Sequence, residues 1–190
     1  MQGIKVLFTD SEESNLEVIK NVIKHNTLIF NNVGFIINIE ARGVKGPAIL
    51  FETSAGNRKI IDLYKRAEHP YAYSLTTAIY RILPNSTDFT IVKDRFSGMN
   101  FAVIDNLKYY HTKLDNFENI SLNSIQHYGE QIEPIVEEHL TNPKYFQSDY
   151  LKSDLLFFSL PYLGLITITP KTYLILMFIA FVIIISVNKY

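Results

Sequence analysis

Cysteine is absent from all 190 residues. That excludes disulfides, thiolate nucleophiles and thiolate metal sites, and it leaves the redox compartment open. Tryptophan is absent too. Positive charge is not in surplus: 18 Lys and Arg stand against 19 Asp and Glu, so a nucleic-acid binder, which needs a basic excess, is not expected. No His-Glu-x-x-His, Gly-x-Ser-x-Gly or Walker loop occurs. The first residues lack the apolar core of a secretory signal, and Gly3 falls one position late for myristoylation. Internal repeats and low-complexity tracts are missing as well. On these absences the expectation is a non-enzyme with no catalytic residues, no cofactor, no metal site and no small-molecule substrate.

What the chain has instead is an apolar run over 172–187, free of charge, Gly and Pro. As a helix it is about 24 Å long, against a hydrocarbon core of about 30 Å. The flanks or local thinning close that gap. A buried core helix usually keeps a polar stripe, and this run has none. The run predicts a membrane anchor over 171–190, with Tyr173, Leu174, Phe178, Phe181 and Val187 in lipid. With no signal in front and a span behind, the layout reads as tail-anchored and single-pass, with the head on the cytosolic side. Lys171 agrees with that orientation, and Lys189 offsets most of the agreement.

The head reads as α/β or α+β with a small mixed sheet. Residues 4–8 predict a buried strand. Leu16, Ile19, Val22 and Ile23 recur at helical spacing up to His25. Strands are predicted over 33–39 and 47–51, with a link short enough for a plain hairpin. A hairpin turn at 54–57 leads to a returning strand over 58–61, then a short helix through 62–66. After His69-Pro70 come a helix over 71–83 and paired strands at 89–92 and 100–104. Leu122, Ile125, Gly129 and Ile132 share one helical face, which Pro134 interrupts or restarts. The apolar stretch 155–169 is broken by Pro161 and Gly164, and is expected to lie against the head or in the headgroup layer; a two-pass membrane hairpin is the alternative. The divisions are 1–68, 69–142, a membrane-proximal aromatic segment over 143–170, and the anchor over 171–190.

Residues 5–19 (KVLFTDSEESNLEVI) resemble the opening of a thioredoxin or glutaredoxin fold, with Ser11-Glu12-Glu13-Ser14 where that family carries its cysteine pair. Residues 44–51 resemble the family's cis-proline strand, and Gly56 with 61–64 its last hairpin and helix. The resemblance covers residues 4–66. It implies a thioredoxin-like head and a cis bond before Pro47. Without cysteine it implies no redox exchange. The abundance of Ile, Asn, Lys, Tyr and Phe resembles AT-rich coding, as in many large DNA viruses and equally in AT-rich cellular genomes.

The remaining candidates each have a plain structural account. His25, His69, His111, His127 and His139 form no i, i+4 pair and fit surfaces or helix ends. Glu130, Glu133 and Glu137 share a helical face that could hold a hard cation, and a solvated face explains them as well. Ser11 and Ser14 fit helix caps. Tyr71, Tyr73, Tyr109, Tyr110, Tyr145, Phe146 and Tyr150 are candidates for a protein contact, since Tyr is enriched at interfaces. The expected function is a structural tether between a lipid bilayer and capsid or coat proteins, most concretely a minor capsid protein at a virion inner membrane. The alternatives are a membrane-bound thioredoxin-fold relative with a chaperone-like or enzymatic role, and a cellular tail-anchored adaptor.

Overall fold

The computed structural model describes residues 3–9, 15–80, 82–83, 85–145 and 153–187. The elements in order are α1 (Glu17–His25), β1 (Phe35–Ala41), β2 (Ile49–Thr53), α2 (Arg58–Tyr64), α3 (Ser74–Tyr80), α4 (Asp88–Val92), β3 (Ser97–Val103), α5 (Leu122–Thr141), β4 (Leu156–Leu160), β5 (Gly164–Ile168) and α6 (Pro170–Val187). The architecture is mixed α/β, as the sequence suggests, with small sheets and one apolar C-terminal helix.

The main sheet has the order β1-β3-β2, with β3 parallel to β1 and antiparallel to β2. The expected hairpin between β1 and β2 does not form, because β3 lies between them. The link after β1 instead crosses the end of β3, where the Arg42 and Gly43 N–H groups both donate to the Val103 carbonyl. Gly43 is required there: a Cβ would lie 2.0 Å from the Asp105 carbonyl oxygen.

Side chains alternate across a strand. One face of the sheet carries Leu50, Met99, Phe101 and Val103 into the main core with Ile60, Ile61, Leu63 and Tyr64 of α2 and Ile135 of α5. The other face carries Ile36 against Phe89, Val92 and Ile19, and Ile49 and Ala102 against Tyr80.

Several local expectations fail for identifiable reasons. Residues 4–8 form no strand; Phe8 is 92% exposed, and the Lys5 ammonium instead bonds the Ile29 and Asn31 carbonyls. Residues 58–61 are helical, because Ile60, Ile61, Leu63 and Tyr64 reach the core together only at helical spacing. Residues 89–92 are helical because Thr87 and Thr90 form a reciprocal capping box. The thioredoxin-like arrangement is not found. Its opening strand is missing from the sheet, and no cis peptide bond occurs among the described residues, Pro47 included.

Residues 155–169 form the antiparallel hairpin β4-β5, which packs against the head through Phe157. The Ser159 N–H donates to the Ala72 carbonyl, and the Ser159 hydroxyl accepts from the Ala72 N–H. Helix α6 follows directly. It is long and apolar enough to cross a membrane, and none of it is buried against the head. Phe178 is 69% exposed. An exposed apolar helix of this kind suits an apolar medium.

Candidate functional site

Parallel strands β1 and β3 end side by side, and the carboxyl end of such a pair is where α/β sheets hold ligands. A cavity of about 280 Å³ opens there. Glu40, Ala41 and Arg42 supply the β1 side of its wall and Ala102 the β3 side. Phe51 and Tyr80 come from β2 and α3, and Asn85, Ser86 and Thr87 from the approach to α4. Asn15, and Tyr110 with His111, complete it.

Glu40 is held at both ends. Its backbone carbonyl accepts the Tyr128 hydroxyl of α5, and its Oε1 accepts the Asn38 amide at 3.0 Å. His111 sits in the left-handed region at φ 57°. For a non-glycine residue that is uncommon, and such conformers cluster at functional sites. The turn around it is tied by the Thr112 hydroxyl, which donates to the Tyr109 carbonyl at 2.7 Å and accepts the Leu114 N–H at 3.2 Å. The Tyr110 ring stacks on His111 at 3.8 Å, and the Arg42 guanidinium lies 5.4 Å from the Tyr110 ring centre.

The Tyr80 hydroxyl is buried at the wall and makes no hydrogen bond of normal geometry among the described residues. Burial first, then the Glu52 charge, pushes its phenol upward. The Thr87 side chain and the Arg42 charge act the other way, and the hydroxyl itself is sealed behind the wall rather than presented to the cavity.

Behind Glu40 a polar row crosses the sheet. Asn38 pairs in register with Asn100, and Asn100 with Glu52. Glu52 is 1% exposed, and the Lys93 ammonium donates to it at 2.6 Å.

The sequence-derived candidates are scattered. Tyr71 and Tyr73 meet edge to edge at 5.4 Å beside Tyr80. Tyr110 reaches the cavity, and Tyr109 lies in the turn before it. Tyr145 is buried in the main core. Ser11, Ser14, Phe146 and Tyr150 lie outside the described residues. Tyr173, Leu174, Phe178, Phe181 and Val187 are all exposed on α6. His69 pairs with Glu130 at 3.2 Å, and His139 stacks on Phe35. Glu40 was not among the sequence-derived candidates; His111, expected at a surface, is exposed and lines the cavity as well. The one local signal was Asn38-Ile-Glu40, two polar residues at alternate positions of an otherwise apolar strand.

Comparison with known proteins identifies the relatives. The family model for peptidase family M28 matches residues 1–136, a span that contains Glu40, Tyr80 and His111. Endoplasmic reticulum metallopeptidase 1 of Mus musculus is 30% identical over 172 residues, 87% of this chain and 19% of that protein. Putative endoplasmic reticulum metallopeptidase 1-A of Caenorhabditis elegans is 32% identical over 142 residues, 72% of this chain and 16% of that protein. A vacuolar membrane protease of Candida dubliniensis is 31% identical over 124 residues, 63% of this chain and 13% of that protein. The chain thus spans less than a fifth of the length of these relatives. No solved structure matches it significantly.

These matches overturn the expectation of a non-enzymatic viral tether with capsid or coat partners and no substrate, and the thioredoxin resemblance with it. The physical reason is plain. The family carries no contiguous motif that was legible in this chain, and Glu40 and His111 come to line one cavity only when β1 and the turn after β3 are brought together. The Tyr-rich composition that suggested an interface is explained in part by ring packing inside the head.

The relatives' names imply a metal. Glu40 and His111 fit that role in kind, as a carboxylate and an imidazole on one polar wall. They are two donors, and no group of three or more His, Cys, Asp or Glu side chains gathers among the described residues. Among the described residues, then, no complete metal-binding group is present, and Glu40 and His111 are the two lining side chains of a metal-ligating kind.

Proposed function

Because the chain belongs to peptidase family M28, we propose that it is a membrane-attached peptidase unit whose catalytic pocket is the cavity walled by Glu40 and His111. One observation carries this: two metal-ligand side chains far apart in sequence share the wall of a polar cavity at the carboxyl ends of parallel strands. The substrate class is a peptide. The chemistry a bound divalent ion supplies in such a site is polarisation of the scissile carbonyl and acidification of a water.

The chain's own residues do the rest. Glu40 and His111 would hold the ion, and the Asn38 amide donates to the Glu40 carboxylate. Arg42 and Tyr110 shape the mouth beside His111. In this reading residues 1–68 and 69–142 act as one head, 143–170 connects it to the bilayer, and 171–190 anchors it. The names of the relatives favour an internal membrane, of the endoplasmic reticulum or vacuole type.

The test is zinc binding and peptide cleavage by the full chain in detergent micelles. The unaltered chain should bind zinc and release amino acids from an unstructured peptide. Glu40→Gln and His111→Ala should each remove both activities. A native-like chain that neither binds zinc nor cleaves peptides would refute the assignment.

A further inference from the structure

We propose that the buried row of Asn38, Asn100 and Glu52, closed by Lys93, positions the Glu40 carboxylate; the proposal rests on Glu40 belonging to the peptidase centre. Both ends of the row are carboxylates, which when ionised only accept hydrogen bonds. The amides between them must therefore be sorted by direction. The Asn38 amide nitrogen donates to Glu40 Oε1 at 3.0 Å and to Asn100 Oδ1 at 2.9 Å. The Asn100 amide nitrogen donates to Glu52 Oε2 at 3.3 Å and to Thr87 Oγ1 at 3.0 Å. Turning either amide over would set acceptor against acceptor. The Lys93 ammonium, a donor only, bonds Glu52 Oε1 at 2.6 Å, so Glu52 accepts at that end and the row runs in one sense up to the cavity.

Register makes this possible. Asn38, Asn100 and Glu52 are direct neighbours on three adjacent strands, and Glu40 follows Asn38 on the same face. Thr87 joins the row to the cavity wall, since it caps α4 and lines the cavity itself. An ion pair serving stability alone needs only Glu52 and Lys93. It does not need two asparagines stepping across the sheet to a carboxylate at a cavity. Groups behind a metal ligand of this kind orient it, and their loss weakens metal binding about 10–100-fold.

The experiment measures zinc affinity of the full chain in detergent micelles, by competition with a chromogenic chelator, with melting temperature read alongside. Asn38→Leu and Asn100→Leu should weaken zinc binding at least tenfold while the chain still melts cooperatively. Asn38→Ser, which is smaller and cannot span to Glu40, should do the same if the Leu variant fails to fold. Lower melting temperatures with unchanged zinc affinity, alongside a Glu40→Gln variant that does lose zinc, would overturn the positioning role and leave the centre intact. If Glu40→Gln and His111→Ala bind zinc as the parent chain does, the centre is misassigned and this proposal falls with it.

Discussion

Glu52 shows how little a single buried charge can be read in isolation. It is 1% exposed, and its only cationic neighbour among the described ion pairs is Lys93. Removing one partner of a buried pair leaves the other uncompensated, which costs about 3–5 kcal/mol, whereas replacing both with apolar residues is often neutral. Glu52→Leu should therefore lower the melting temperature sharply, and Glu52→Leu with Lys93→Leu should recover most of the loss. The histidines make a second prediction at this scale. Burial lowers His127, whose Nδ1 accepts the Ala48 N–H at 3.0 Å; burial, then the Lys59 charge, lowers His139. Both are held neutral in the folded state. The unfolded chain takes up protons first, near the ordinary value of about 6.5. Stability is then full above that value and is lost as pH falls below it. Melting temperatures compared between pH 8 and pH 5.5 should show the drop, and a His127→Asn, His139→Asn variant should flatten it. The histidine roles were not legible in sequence, because each depends on which donor or ring a distant element delivers.

Elements were legible where the period was strong and misread where a short segment had two solutions. The apolar pattern of α5 predicts a helix, and the structure carries it through Pro134 without a break. Proline at 134 has no N–H for the Glu130 carbonyl. That carbonyl instead accepts the Glu68 N–H at 3.2 Å, so the apparent defect docks the segment after α2 onto α5. Residues 58–61 and 89–92 are too short for periodicity to separate strand from helix. Core contacts decided the first and the Thr87 cap the second. Thr87→Ala should cost about 1 kcal/mol for the lost cap, seen as a lower melting temperature, and more because Asn100 also loses an acceptor. Gly43→Ala tests the crossing over β3. Its Cβ would meet backbone rather than a movable side chain. Destabilisation of about 1–3 kcal/mol is expected. Asp105 opens the segment that leads to His111, so zinc affinity should fall in the same variant.

At the scale of the whole molecule, α6 is the element proposed to hold the chain at a membrane. Lysine near the middle of a membrane helix opposes insertion by about 2.5–3.5 kcal/mol. Ile179→Lys with Ile183→Lys should release the chain from membranes on alkaline carbonate extraction, and the unaltered chain should stay with them. The apolar helix itself was determined by sequence alone, because a continuous apolar run needs no partner to define it. The same holds for the mixed α/β class and the helix of α5, whose signals are local and periodic. The cavity is of another kind. Glu40 and His111 carry no shared motif, and Asn38, Asn100 and Glu52 are neighbours only because β3 enters between β1 and β2 in one particular register. Non-local pairing creates those contacts. A linear reading that took β1 and β2 for a hairpin therefore had no means of bringing the site together.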